Sequence, residues 1–419
     1  MARFLYTLAV FALLPWALLH LLWRGRRQPE YLEHWGERLG RFPARAEGHV
    51  IWIHAVSVGE TRAAQPLIAA LRARYPNHRL LISHMTPTGR TTSGTLFGDT
   101  VERIYLPYDT PGAVARFLDR FRPALGLVME TELWPNLVAA CRRRHVPLLL
   151  VNARLSERSA RRYARWPTLT RHALNNLAAI AAQGEDDARR LRELGANDVA
   201  VLGNLKFDIE PPMAQLALGR ELRAAIGERH LLLCASTREG EEALILDAWR
   251  RLGGTEVLLA LVPRHPQRFD EVAALVASRG LTLCRRSANA IPTAATEVWL
   301  GDSMGELFAW YAAADVAFVG GSLLDYGSQN LIEACAVGTP VLIGPSTYNF
   351  ADAAREAVAA QAAVPVAGAE AMVGTARDLI GDAQRRAAMA EAGRAFAARH
   401  RGATARTMTL IGRFIPESR

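Results

Sequence analysis

The chain is almost without lysine. Of its 50 Lys and Arg residues, Lys206 alone is a lysine. A GC-rich coding sequence that favours arginine explains part of this bias. The surviving lysine still asks for a reason. Arginine is a planar, permanently charged fork and lysine a compact point charge, so a site that needs the second does not drift to the first. Cysteine is scarce as well. Cys141, Cys234, Cys284 and Cys335 form no C-x-x-C, which argues against a zinc site or a disulfide framework and fits a reducing cytosol. No G-x-G-x-x-G follows the first strand-like run and no G-K-[ST] occurs, which argues against dinucleotide and P-loop chemistry. H-E-x-x-H is missing. So is D-x-D, the obvious carboxylate pair for holding a metal on a diphosphate. No metal and no other cofactor is expected.

What is present points to a large core and an anionic partner. Half of the 419 residues are hydrophobic and the net charge is +9. The length predicts two or three domains. The charge suits nucleic acid, a membrane surface or a phosphorylated substrate. Residues 4–23, "FLYTLAVFALLPWALLHLLW", are an apolar run broken only by Pro15 and His20, about enough helix to cross a bilayer. Trp16 and Trp23 suit the membrane interfaces, and Arg24, Arg26 and Arg27 follow at once. The positive-inside rule then puts everything after residue 24 in the cytoplasm. A cleaved signal peptide would have a shorter apolar stretch and a small-residue cleavage site. A helix lying in the interface stays open as an alternative.

From about residue 48, strand-like runs alternate with helical stretches. The expected strands are 50–55, 79–83, 102–106, 124–129, 147–151, 178–182 and 199–202, then 230–235, 256–262, 281–284, 297–300, 315–319 and 340–343. Such alternation predicts an α/β chain with parallel sheets covered by helices. "GNLKFDIEPP", 203–212, is polar with two prolines and reads as a linker. The expected division is an anchor with basic flank at 1–27, a first domain at 28–203, a linker at 204–212 and a second domain at 213–419. The last helix is a candidate to pack back on the first domain. Ligands in open parallel sheets bind outside the carboxyl ends of the strands, and the cleft between two halves is the expected site.

The candidate residues follow from that rule. "GGSLLDYGSQNLIEACAVGTPVLIGP", 320–345, runs from a strand end through a glycine loop into a helix expected to begin near Asn330. A helix start suits phosphate, and Glu333 could accept from ribose hydroxyls. The plain alternative is a tight turn with an Asn cap. "GDSMGELFAWYAAAD", 301–315, is a second loop-to-helix junction, with Ser303 and Glu306 spaced as a capping box. "LVPRHPQRF", 261–269, holds Arg264 between prolines, and "ASTREGEE", 235–242, places Thr237 and Arg238 in a similar setting. In the first half, "IWIHAVSVGE", 51–60, ends a strand on Glu60, an acid where a phosphate loop is common. Ser57 is a further candidate there, and Gly59 is expected to let the backbone turn tightly enough to present the acid. "LVMETELWPN", 127–136, brings Glu130 and Glu132. Both point the same way if the strand continues, and one only if it turns. "SHMTPTGR", 83–90, offers hydroxyls and Arg90, and "VNARLSERS", 151–159, offers Asn152 and Arg154. Acids therefore gather in the first half and phosphate binders in the second, as in an acceptor half and a donor half.

These motifs, in this order, resemble the Kdo transferases, which attach 3-deoxy-D-manno-octulosonic acid to the lipid A precursor of Gram-negative bacteria. The likeness is carried by "ERLG" at 37–40, "HAVSVGE" at 54–60, "METELWPN" at 129–136, "NARLSERS" at 152–159, "GNLKFD" at 203–208, "VPRHPQRF" at 262–269, "GDSMGEL" at 301–307 and "IGPSTYNF" at 343–350. The resemblance implies a GT-B fold of two facing Rossmann-like domains and inverting transfer from CMP-Kdo. It makes Glu60 the general base, with Glu130 and Lys206 assisting the transition state. Pro263, Arg264, Met304, Gly305, Glu306, Asn330 and Glu333 would contact CMP. The implied partners are CMP-Kdo, the lipid A precursor and the anionic inner-leaflet surface, with no nucleic acid. The implied place is the cytoplasmic face of the bacterial inner membrane. This chain departs from the family's Gly-Gly-His-Asn before the donor helix, having Gly327-Ser328-Gln329-Asn330. Gln329 can hydrogen-bond but cannot titrate. Two other readings fit the same residues. One is another GT-B nucleotide-sugar enzyme, an epimerase or UDP-sugar transferase. The other is a non-catalytic glycolipid-binding membrane protein.

Overall fold

The computed structural model describes residues 1–26, 28–42, 48–208, 210–252, 254 and 256–415. Arg27 of the basic flank and Ile209 of the expected linker lie outside the described residues. The chain forms two compact units, Met1–Asp208 with Arg401–Arg419, and Ile209–His400.

The first unit is built on β1 (Val50–His54), β2 (Arg79–His84), β3 (Glu102–Tyr105), β4 (Pro123–Met129), β5 (Leu148–Ala153), β6 (Ala179–Ala182) and β7 (Val199–Val201). They form one sheet in the order β3-β2-β1-β4-β5-β6-β7, and every pairing is parallel. The central strand β1, Val-Ile-Trp-Ile-His, is buried at all positions, as expected where helices cover both faces. The pleat sends alternate residues to opposite cores. Ile51 and Ile53 join Leu67 and Leu71 on one face, while Val50 and Trp52 join Phe117 and Leu118 on the other. Gly126 makes room for this packing, because a Cβ there would sit 2.8 Å from Trp52 Cε3.

Two terminal helices complete this unit. Helix Ala403–Ile411 places Met408, Leu410 and Ile411 in the core with Leu67 and Leu71. Its amino end is capped by Asp208, whose carboxylate accepts from Gly402 N at 2.8 Å and Thr404 N at 2.6 Å. At the other terminus, helix Ala2–Gly25 is long and apolar enough to cross a membrane. It is tied to the unit through Tyr6 and Asp109.

The second unit contains β8 (His230–Thr237), β9 (Val257–Pro263), β10 (Leu283–Arg285), β11 (Val298–Leu300), β12 (Val316–Val319), β13 (Val341–Ile343) and β14 (Ala363–Pro365). Its order is β10-β11-β9-β8-β12-β13-β14, again parallel throughout. Leu232, Leu259, Phe318 and Leu342 meet Ile245, Val272 and Met372 from the covering helices. The sequence pattern foretold every strand but β14. That edge strand is three residues long and reads Ala-Val-Pro. It lacks the β-branched run that marks a strand and lies in an alanine-rich stretch, a composition that favours helix.

Candidate active site

Parallel pairing places all carboxyl strand ends on one edge of each sheet, so the residues just past the strands share that edge. In the first unit, β1 runs into Ala55-Val56-Ser57 and then helix Val58–Ala63. Ser57 is the N-cap. Its Oγ accepts from Glu60 N at 3.4 Å, and its hydroxyl donates to Glu60 Oε1 at 2.9 Å. The other oxygen, Oε2, accepts from Val56 N at 2.7 Å. Ser57 thus caps the helix, and the Glu60 carboxylate reaches back to the Ser57 hydroxyl and to the N–H of the residue before the cap, a variant of the capping box that S-x-x-E spacing allows. Glu60 is 9% exposed. Burial pushes its pKa up to about 7, against the pull of the Val56 N–H and the Ser57 hydroxyl and with further upward pressure from Glu130 and Glu132.

The chain turns as soon as β4 ends. Glu130 has φ of +57°, a left-handed conformation uncommon for a residue other than glycine. Its Oε1 accepts from Lys206 Nζ at 2.8 Å. Glu132 is pushed above its ordinary value by burial and, to a lesser degree, by Glu130. The sole lysine is held by a polar network. Asn204 Oδ1 accepts from Lys206 N at 2.9 Å, and Asn204 Nδ2 donates to Gln183 Oε1 at 2.9 Å. Gln183 Nε2 donates to Asn152 O at 2.9 Å, and Asn152 Oδ1 accepts from Leu205 N at 2.9 Å. Asn152 also has a positive φ, 53°. Such strain gathers where surrounding structure over-determines the backbone. Gln183 and Asn204 were not foreseen as site residues. The one signal for Gln183 was a polar residue immediately after an apolar strand.

In the second unit the strand ends hold a framework of buried acids. Glu241 is fully buried. It accepts from Arg238 N at 2.8 Å, Gly321 N at 2.7 Å and Leu323 N at 2.9 Å. Glu242 accepts from the Thr237 hydroxyl at 2.8 Å and from Arg268 at 2.8 Å. β8 kinks at Ser236, whose φ is +55°, and Arg264 N donates to Thr237 O at 3.0 Å just past Pro263. Gly320 lies against that kink, where a Cβ would be 2.6 Å from Ser236 O. Arg238 lies over the Tyr326 ring at 4.5 Å. Burial, followed by Arg238, Arg264 and Arg268, holds His265 below the usual histidine value. That ordering marks a concentration of positive charge beside β8 and β9.

The comparisons with known proteins bear on the whole chain. A family model described as 3-deoxy-D-manno-octulosonic-acid transferase (kdotransferase) matches residues 33–209. A 3-deoxy-D-manno-octulosonic acid transferase of Bordetella pertussis is 47% identical over 98% of this chain and 99% of its own length. The transferase of that name from Haemophilus influenzae is 36% identical over 98% of each chain. The chain belongs to the Kdo transferase family. It is a Kdo glycosyltransferase of lipopolysaccharide synthesis. Its fold is GT-B-like, two parallel-sheet α/β units with an apolar helix in front. A glycosyltransferase structure from Rickettsia africae matches at TM-score 0.58 with 13% identity, covering 89% of this chain and 100% of that one. A UDP-GlcNAc 2-epimerase of Neisseria meningitidis matches at TM-score 0.56 with 16% identity, covering 87% and 99%. These two likenesses concern the fold alone.

Several local expectations for this Kdo transferase need correction. Gly59 does not make a tight turn. It lies inside helix Val58–Ala63, is not among the glycines of positive φ, and a Cβ there would meet only Ser57 Oγ, at 3.8 Å. Ser303 does not cap a helix. Its hydroxyl does reach Glu306 at 2.5 Å, but the helix begins only at Leu307 with Glu306 as N-cap. Gly305, at φ +81°, breaks the path between them. Glu306 is instead gripped by both nitrogens of the Arg286 fork at 3.0 Å. The helix expected near Asn330 begins at Ile332. Asn330 Oδ1 accepts from Ile332 N at 3.1 Å and its Nδ2 donates to Glu333 at 3.2 Å. Arg90 is committed to Glu37 at 2.9 Å. Met304 stands 62% exposed. Ser328, where the family has glycine, is forced to φ +69°, and Gln329 N donates to Gly320 O at 3.0 Å.

Proposed function

We propose that this transferase moves Kdo from CMP-Kdo to the glucosamine disaccharide of the lipid A precursor, with inversion, using Glu60 as general base. It would act at the cytoplasmic face of the inner membrane. The observation that carries the reading is Glu60 itself, a buried carboxyl at a strand end whose proton affinity is pushed up to about 7. A base is most useful when its pKa lies near the working pH. A sugar hydroxyl is a poor nucleophile until its proton leaves. As the hydroxyl oxygen bonds to the anomeric carbon of Kdo, Glu60 takes the proton and CMP departs with the electron pair of the broken bond. A side chain at Gly59 would begin against the Ser57 hydroxyl, 3.8 Å from its Cβ, so glycine there leaves the acceptor oxygen an approach to the acid.

Lys206 bonds Glu130 at 2.8 Å. In this reading the pair fixes one positive charge near the sugar carboxylate while Glu130 keeps the lysine in place. On the donor unit, Pro263, Arg264, Met304, Gly305, Glu306, Asn330 and Glu333 contact CMP, with Thr237 and Arg238 beside them. Arg264 takes up charge on the departing phosphate. Glu241 holds the glycine loop in place through Gly321 N and Leu323 N.

The structural role of Glu60 as a cap must be separated from catalysis. Gln fills the same place in a capping box but cannot accept a proton. Glu60→Gln is therefore expected to fold, to retain CMP binding, and to lose transfer to a tetra-acylated lipid A precursor. Product mass reports the transfer. A Glu60→Gln enzyme with near-normal turnover would sink the assignment. UDP protecting the protein as well as CMP does would redirect the donor.

A further inference from the structure

Helix Ala2–Gly25 has the length to cross a bilayer or to lie along one, and its attachments distinguish the two. The half-buried and buried positions include Tyr6, Thr7, Val10, Leu14, Leu21 and Gly25, a stripe at helical spacing down the whole element. At the amino end, the Tyr6 hydroxyl donates to Asp109 Oδ2 at 3.0 Å and the Thr7 hydroxyl to Asn136 Oδ1 at 3.0 Å. At the carboxyl end, the Arg24 guanidinium lies 4.4 Å from the Tyr31 ring centroid. Gly25 packs so closely on Leu32 that a Cβ would lie 2.5 Å from its Cγ. All of these partners belong to the first unit. Tyr6 to Gly25 covers roughly 28 Å at ~1.5 Å per residue, close to the thickness of a hydrocarbon core. A crossing helix would put Tyr6 and Thr7 on the far side of the membrane from Tyr31 and Leu32. One folded unit cannot hold both ends in that case.

The distribution of exposed apolar side chains agrees. Phe4, Leu8, Phe11, Trp16, Leu19 and Trp23 are exposed on the face opposite the stripe. Among the described residues of the first unit, the other large exposed hydrophobics stand beside the helix's docking points. Leu32 and Trp35 follow its carboxyl end. Trp166 immediately precedes helix Pro167–Asn175, on which the membrane helix packs. Trp favours the headgroup level. Arg3, Arg24 and Arg26 flank the apolar run, and no acid occurs before Glu30, which suits anionic headgroups.

We propose that helix Ala2–Gly25 lies in the plane of a single anionic leaflet, its outer face among the acyl chains and its inner face on the first unit. The docking point has a consequence for the reaction. Asp109 follows β3, and besides Tyr6 it holds the start of helix Pro135–Arg143 through Asn136 N at 2.9 Å and Leu137 N at 2.8 Å. That helix follows the loop of Glu130 and Glu132, so the leaflet lies against the sheet edge that carries the acids. A lipid acceptor then reaches them from the membrane plane. This last step rests on the function proposed above, whereas the topology does not.

The test uses the full chain in its membrane. The cysteines of the chain are all buried, so single probes at Ala2→Cys and Ala12→Cys report cleanly. With a membrane-impermeant maleimide, Ala2→Cys is expected to label in inside-out vesicles only and Ala12→Cys in neither orientation. An environment-sensitive dye on Ala12→Cys is expected to be quenched best by spin labels near the headgroups, within about 5–10 Å of the acyl boundary. Labelling of Ala2→Cys from the periplasmic side, or strongest quenching at the bilayer centre, overturns the proposal. So does release of the protein by a high-salt wash. A transfer assay on the same vesicles keeps the two readings apart, since absent transfer with cytoplasmic labelling breaks the function and leaves the topology standing.

Discussion

The two sheet edges of this transferase differ in what their acids are doing. In the first unit Glu60, Glu130 and Glu132 gather past the strand ends with one lysine, and burial raises the proton affinity of Glu60 and Glu132. In the second unit Glu241 and Glu242 are turned inward. Glu241 receives three backbone N–H bonds, and Glu242 binds the Thr237 hydroxyl and the Arg268 guanidinium. The first sheet edge leaves Glu60 and Glu132 with raised proton affinity, while the second uses its acids as struts for the loops that follow its strands. A carboxylate's task is set by its donors and its burial, not by its position after a strand.

The contrast breaks most visibly at Glu60. Glu60→Gln is expected to reduce kcat by about 10²–10⁴-fold with CMP affinity unchanged by calorimetry. For the native enzyme, kcat/KM should rise with pH until about 7 and then level, because only the ionised carboxyl accepts a proton. The stability sign is opposite. The folded pKa lies above the ordinary value, so the protein holds this proton more tightly folded than unfolded. The resulting stabilisation is complete below the unfolded pKa and disappears as pH rises through about 7. Glu60→Gln should therefore gain thermal stability over the native protein at about pH 8 and little at about pH 4. Equal gains at both would remove burial of the charge as the cause.

On the donor edge, Glu241→Ala leaves three amides without their acceptor. Hydrogen bonds to charged groups contribute about 1.5–3 kcal/mol each. CMP affinity is expected to fall at least tenfold, alongside a lower Tm. Unchanged CMP affinity in a folded variant would mean that the glycine loop holds itself. Lys206→Arg comes next, with an expected loss of about tenfold, since a planar fork does not reproduce a point charge. Lys206→Met should also move the acid limb of the pH profile upward. Glu130 would then stand unneutralised beside Glu60 and raise its proton affinity further. A limb that moves down contradicts that electrostatic picture. Gly320→Ala drives a Cβ to 2.6 Å from Ser236 O, and overpacking of this kind destabilises by about 1–3 kcal/mol, read by chemical denaturation. Ser328→Gly, which restores the family's residue at φ +69°, should stabilise by less than about 1 kcal/mol. Any loss of stability there would show that the Ser328 hydroxyl, bonded to Gln329 O at 3.0 Å, outweighs the backbone strain.

Much of the fold was legible because parallel strands buried on both faces read as continuous apolar runs. Chain direction alone then places the residues after each run on a common edge. That logic located Glu60, Glu130, Arg264 and the loop at 320–330 without coordinates. It failed where the local pattern was silent or shared. β14 is too short and alanine-rich to stand out. The S-x-x-E spacing occurs at both 57–60 and 303–306, and only Ser57 caps a helix, because Gly305 at φ +81° interrupts the second stretch and its helix begins only at Leu307.

The sequence by itself determined the two α/β series, the apolar helix in front of them, and which acids and arginines follow strands. Only the tertiary structure decided the rest. Lys206 meets Glu130 from 76 positions away. Asp208 caps a helix 194 positions later and draws the carboxyl-terminal segment into the first unit. Tyr6 finds Asp109 across 103 residues and fixes the amino end of the apolar helix to the first unit, whose Tyr31 and Leu32 hold the other end. Periodicity encodes which side chains turn inward. Which charges then meet, and how far burial moves a proton, depends on the sum of neighbours brought from remote parts of the chain, and no local window contains that sum.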